Sequence, residues 1–180
     1  MKNITLAVIS SLIISSPMVI AATGGTITFN GKLTATTCKI DIEGQGADAL
    51  VKLPTIGVNQ LSALGETAGS TSFNMALSGC SGTLSSASAF FEAGGGNVDV
   101  ATGRLNNSGS AQLVQLQLRD GSSSKNAIIK AGSQEQAMSM TYVDTSSGTA
   151  TLPYLVEYYA QGKTTPGDVV SKVVYSIQYK

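Results

Sequence analysis

Apolar side chains fall at every second position along several stretches of this chain, a period that a pleated strand satisfies and a helix does not. Val114, Leu116 and Leu118 alternate with Gln115, Gln117 and Arg119, whose polar ends are expected to face water. The pattern returns at Tyr154, Val156 and Tyr158, and again at Val173, Tyr175, Ile177 and Tyr179. Shorter strand candidates are Cys38–Ile42, Leu50–Leu53, Ser72–Leu77, Ala89–Glu92 and Met138–Val143. The pieces between them carry turn chemistry, such as Glu43–Gly46, Gly94–Asn97, Asp120–Ser124 and Thr165–Asp168. One short helical turn is predicted, at Asn59–Glu66. The chain therefore reads as all-β almost throughout.

Its first 22 residues have the layout of a signal peptide. Met1-Lys2-Asn3 gives a positive start, Ile4–Ile14 is apolar but for Thr5, Ser10 and Ser11, and Ala21 and Ala22 each suit cleavage. The apolar run is too short for a stable bilayer span. The rest of the chain is long enough for one domain with its own core, and the many short strands predict a β-sandwich of the immunoglobulin-like kind. Removing Lys2 leaves one more acidic than basic side chain, so charge gives no case for binding nucleic acid or an anionic membrane. Two cysteines, Cys38 and Cys80, sit in an exported chain. A single disulfide is the economical reading, and two unpaired buried thiols the alternative.

The sequence contains no histidine, which removes Ser-His-Asp and Cys-His catalysis and the usual zinc sites. Ser122-Ser123-Ser124-Lys125 matches Ser-x-x-Lys, but within a serine-rich turn and without the companion elements of acylating enzymes. Asp41, Glu43 and Asp48 surround a glycine-rich turn without the spacing of a calcium loop, so a solvated turn is expected. No constellation supports an enzyme, and no cofactor or metal is expected.

The two ends of the mature chain carry more. From Thr23, every second residue places Gly25, Ile27, Phe29, Gly31 and Leu33 on one face, with Thr26, Thr28, Asn30 and Lys32 on the other. On pattern alone this is either the first edge strand of a self-sufficient sandwich or a strand that packs on another molecule. At the far end, the alternation from Val173 to Tyr179 comes after Gly167. With Gly25-Thr-Ile-Thr-Phe-Asn-Gly31, Thr37-Cys38, Phe73-Asn-Met-Ala-Leu-Ser-Gly-Cys80, Val114–Asp120, Tyr158–Ala160 and the Thr165–Tyr179 stretch, the sequence resembles the chaperone–usher pilins, specifically the major-subunit group of type 1 fimbriae.

That resemblance implies an incomplete immunoglobulin-like sandwich, completed by a donor strand from a neighbouring subunit or from a periplasmic chaperone. It implies a signal peptide at 1–22, an N-terminal donor extension at 23–35 and a pilin domain at 36–180. Gly25, Ile27, Phe29, Gly31 and Leu33 would be the donor face. Gly167, Val173, Tyr175, Ile177 and Tyr179 would form the strand that the chaperone captures. The partners implied are other pilin subunits, the chaperone and an outer-membrane usher. The destination implied is an extracellular surface fimbria reached through the periplasm. A minor adaptor subunit of the same pilus and a secreted monomeric carbohydrate-binding sandwich are the alternatives, the latter disfavoured by the lack of tryptophan.

Overall fold

Two long antiparallel strands organise the fold of the chain, whose computed structural model describes residues 26–180. The signal-peptide reading of 1–22 and the donor position Gly25 lie outside the described residues. In chain order the elements are β1 (Thr37–Ile42), β2 (Thr67–Ser81), β3 (Ser86–Phe91), β4 (Leu105–Asn106), β5 (Val114–Asp120) and β6 (Ala127–Ile129). A six-residue helix, α1 (Gln134–Ser139), then precedes β7 (Val143–Asp144), β8 (Thr149–Ala160) and β9 (Tyr175–Tyr179). Leu33–Lys180 forms one compact unit.

The strands form two sheets, with every pairing antiparallel. One runs β1-β2-β8-β5-β4, with β6 also on β5, and the other runs β7-β3-β9. Their inner faces come directly from the period-two sequence. Phe73, Met75 and Leu77 of β2, and Leu152, Tyr154 and Val156 of β8, are buried in one core with Ala87, Ala89 and Phe91 of β3. Tyr154 joins the layers twice. Its ring meets Phe91 edge-on at 5.1 Å, and its hydroxyl accepts a 2.9 Å hydrogen bond from the Ala89 N–H. A buried phenol needs such a partner, and burial pushes its ionisation upward.

Cys38 and Cys80 are joined by a disulfide that ties β1 to the end of β2. This all-β sandwich is immunoglobulin-like, as the turn-punctuated strands predict. Four local readings need correction. Gln115 and Gln117 do not face water: they are 3% and 2% exposed. Gln115 donates to Asp99 and Asn106, Gln117 donates to Glu157 and accepts from Arg104, and Arg104 lies 3.5 Å over the Tyr159 ring. The outer face of this sheet is thus covered by its own polar side chains.

Met138–Val143 is not a strand, because its first residues finish α1. That helix starts at Ser133, whose hydroxyl accepts the Glu135 N–H. It places buried Gln136 against β3, where its amide accepts from Phe91 N–H at 2.7 Å and donates to Phe91 C=O at 3.0 Å. One side chain thereby replaces a strand at that edge. Leu50–Leu53 belongs to no ladder among the described residues. Of Asn59–Glu66, only Val58–Gln60 makes a 3-10 turn. The rest is a loop tied by the Glu66 carboxylate, which accepts the Ser62 and Ala63 N–H groups and is held below the usual carboxylate range by those bonds.

Candidate functional site

Among the described residues, strand β9 is an edge, bonded on one side only. Lys180 exchanges backbone hydrogen bonds with Ser86, and Glu92 N–H donates to Val174 C=O, so the even-numbered residues turn their backbone toward β3. In an antiparallel ladder the residues between them must point the other way. Tyr175, Ile177 and Tyr179 therefore direct their N–H and C=O groups at the open side. The same alternation sends their side chains, with Val173, onto the core, where they are only half-buried. Both kinds of unsatisfied surface, polar backbone and apolar side chain, lie along one strand.

The facing wall is formed by residues 47–57. After a bend at 47–48 it has no helix or strand, and it joins no ladder among the described residues. Val51 and Leu53 rest on the main core and Ile56 on a second cluster of Leu61, Ala111, Val114 and Ala160. Three tyrosine hydroxyls hold this wall and β1 in place from the far side. Tyr175 donates to Ala47 C=O at 2.8 Å, Tyr158 donates to Pro54 C=O at 3.1 Å, and Tyr179 accepts from the Cys38 N–H at 3.1 Å. Burial raises the Tyr175 and Tyr158 ionisations, and the Asp48 charge adds to the effect at Tyr175.

Between the walls lies a cleft of about 420 Å³ whose floor is the sandwich core itself: Phe73, Met75, Phe91, Leu116 and Leu118. A second recess of about 670 Å³ continues between 55–58 and 164–170, over Leu61 and Val114. A finished sandwich covers its core with paired strands. Here part of the core stays open, between the free edge of β9 and a segment that joins no ladder among the described residues.

Of the residues singled out in the sequence, Val173 and Tyr175 line this cleft, while Ile177 and Tyr179 continue along β9 and pack half-buried against the same core. Gly167 stands apart from β9, in the turn that leads to it. Its φ of 154° lies in a region open to glycine, and a Cβ there would sit 2.5 Å from the Ala111 nitrogen. Ile27 and Phe29 are 77% and 88% exposed, Leu33 is exposed completely, and residues 26–36 form no strand in this single chain. The cleft wall at 47–57 was missed by sequence reasoning. Its signal was the alternation at Val51 and Leu53, a strand pattern that pairs with no strand among the described residues.

The other candidate chemistry is occupied locally. Asp41 accepts the Gly46 N–H and Glu43 accepts the Asn74 N–H, so these carboxylates brace their turn. The Ser122–Lys125 stretch is a turn in which Asp120 accepts the Ser122 N–H and Ser123 accepts the Lys125 N–H.

Comparison with known proteins agrees with this geometry. The family model described as FimA, type-1 fimbrial protein, A, matches residues 53–180. The major fimbrial subunit SMF-1 of Stenotrophomonas maltophilia (strain K279a) is 42% identical, over 93% of this chain and 99% of that protein. The F17 fimbrial protein of Escherichia coli is 38% identical, over 87% of each. Among solved structures, the P pilus rod subunit PapA shares the fold with a TM-score of 0.59 at 13% identity, covering 79% of this chain and 99% of that one. The chain belongs to the type-1 fimbrial protein family, as a structural subunit of an extracellular surface fimbria and not an enzyme.

Proposed function

We propose that the open seam accepts one extended strand from another molecule, first from a periplasmic chaperone and then from the next subunit. This is strand addition, of which chaperone–pilin complexes are a known instance. The observation that carries the proposal is the edge of β9, where outward backbone groups and half-buried apolar side chains run together, with the unpaired wall across the cleft at its Tyr175 end. Gly167, Val173, Tyr175, Ile177 and Tyr179 make up the acceptor side.

The donor is the segment 23–35, with Gly25, Ile27, Phe29, Gly31 and Leu33 as its inward face. Exposure of Ile27, Phe29 and Leu33 in the single chain supports this role, since large apolar side chains on one face of a segment call for a partner. Residues 1–22 are removed on export, and residues 36–180 form the acceptor domain. Each copy offers one donor and one acceptor, which is a heterologous contact and generates an open fibre rather than a closed ring. An outer-membrane usher is the site of exchange, and the product is a homopolymeric shaft. The name of the SMF-1 relative, a major fimbrial subunit, supports the shaft assignment.

Deletion of residues 23–33 tests the assignment. The shortened subunit should still be recovered bound to its chaperone, while the ladder of SDS-resistant multimers disappears. Multimers of normal length from the shortened chain would refute the donor role. Truncation of the last four residues should have the opposite signature, with loss of the chaperone complex itself.

A further inference from the structure

Asn30 is followed by Gly31, the one Asn-Gly pair in the sequence. Both residues are exposed and lie in the stretch 26–36 that forms no strand or helix. A side chain built at Gly31 would meet nothing within 4 Å among the described residues, so the space beside its Cα is open. Among the described hydrogen bonds, none engages the Asn30 amide or the Gly31 N–H. Two comparable pairs in the folded domain are locked. The buried Asp120 carboxylate accepts from Ser122 and Thr141, and Gly121 N–H donates to Pro153 C=O. Asn107, before Ser108, accepts from Gly109 and Val170 and donates to Ala111.

We propose that Asn30 is a spontaneous deamidation site, active in the unassembled subunit and closed by incorporation into the fibre. The Gly31 backbone nitrogen attacks Asn30 Cγ. The new N–Cγ bond forms as the Cγ–Nδ2 bond breaks, and the amide proton leaves with that nitrogen as ammonia. Water then opens the five-membered succinimide at either carbonyl, giving aspartate or isoaspartate with a gain of about 1 Da. Neither an enzyme nor an oxidant is required.

The consequence rests on the donor-strand reading. Isoaspartate carries its β-carbon in the main chain and so lengthens the backbone by one atom between Phe29 and Leu33. A strand's facing depends on strict alternation, so the inward phase of Ile27 and Phe29 is lost beyond that point. A carboxylate is added as well. A seated donor strand, in contrast, engages its backbone in a ladder and holds Asn30 extended, away from the geometry of ring closure. The subunit thus has a limited lifetime before assembly and a protected state after it.

The test incubates subunit taken from the periplasm before assembly, and finished fimbriae, in one mildly alkaline buffer. Peptide mapping and isoaspartyl methyltransferase labelling then read positions 30, 107 and 120. In the unassembled subunit, modification should accumulate at Asn30 and not at Asn107 or Asp120. In fimbriae the rate at Asn30 should be lower by about tenfold or more, as closure of one protecting hydrogen-bonded unit gives. Aged N30Q subunit should keep its multimer yield while aged wild type loses it. An Asn30 that stays intact in the unassembled subunit overturns the proposal and leaves strand exchange untouched. Equal rates in subunit and fimbria overturn the protection, and separately count against the segment being a seated donor.

Discussion

Truncation of Phe29 to alanine separates folding from assembly with a calculable effect. In the single chain the Phe29 side chain is 88% exposed, so its removal should leave the subunit's own stability unchanged. Once seated over the floor of Phe73, Met75, Phe91 and Leu116, the ring would lose nearly all of that exposure. Burial of such a side chain contributes about 1.5–3 kcal/mol. At about 1.4 kcal/mol per factor of ten, each subunit contact should weaken by about 10–150-fold. The assay is paired: thermal unfolding of the chaperone-bound subunit, and the temperature at which multimers dissociate in SDS. Thr28→Ala, on the opposite face of the same segment, should stay within about 0.5 kcal/mol of wild type in both. Phe29→Ala multimers as heat-resistant as wild type, or a destabilised subunit domain, would refute the reasoning.

The fold sets three further outcomes. Cys80→Ser removes a cross-link between residues separated by 42 positions, worth about 4 kcal/mol in the chain-entropy model, and soluble subunit in the periplasm should fall sharply. Gln136→Leu keeps the volume but strips both partners from the Phe91 backbone, and should cost about 2–4 kcal/mol by denaturant titration. Burial holds the Tyr154 ionisation above its ordinary value, so the unfolded chain releases that proton first as pH rises. Subunit stability should hold up to about pH 10 and decline above it, more gently in Tyr154→Phe, as read by thermal melts across that range.

Strands whose partners lie within the chain were legible from periodicity. Phe73, Met75 and Leu77 declare their face because every second residue must meet one core, and β8 and β5 do the same. The polar half of β5 was not legible. Gln115 and Gln117 are covered by Asp99, Arg104 and Glu157, which reach them across strands and loops, and no local pattern encodes that cover. Met138–Val143 was misread for a related reason, since Gln136 uses its side-chain amide as a strand's backbone would be used. The cleft wall was half legible. Val51 and Leu53 alternate as in a strand, yet a strand exists only when its backbone is paired, and no segment among the described residues pairs it.

The central claim is that a donor strand pairs with the open edge of β9, and hydrogen exchange at that edge tests it most directly. Subunit lacking residues 23–33 would be measured alone and with a peptide of that sequence. Ser176 and Gln178, whose backbone already turns toward β3, serve as internal references. The peptide should slow exchange at the Tyr175, Ile177 and Tyr179 amides by about tenfold or more, with a smaller change at the references. Bound peptide that leaves those three amides exchanging as before would contradict the account.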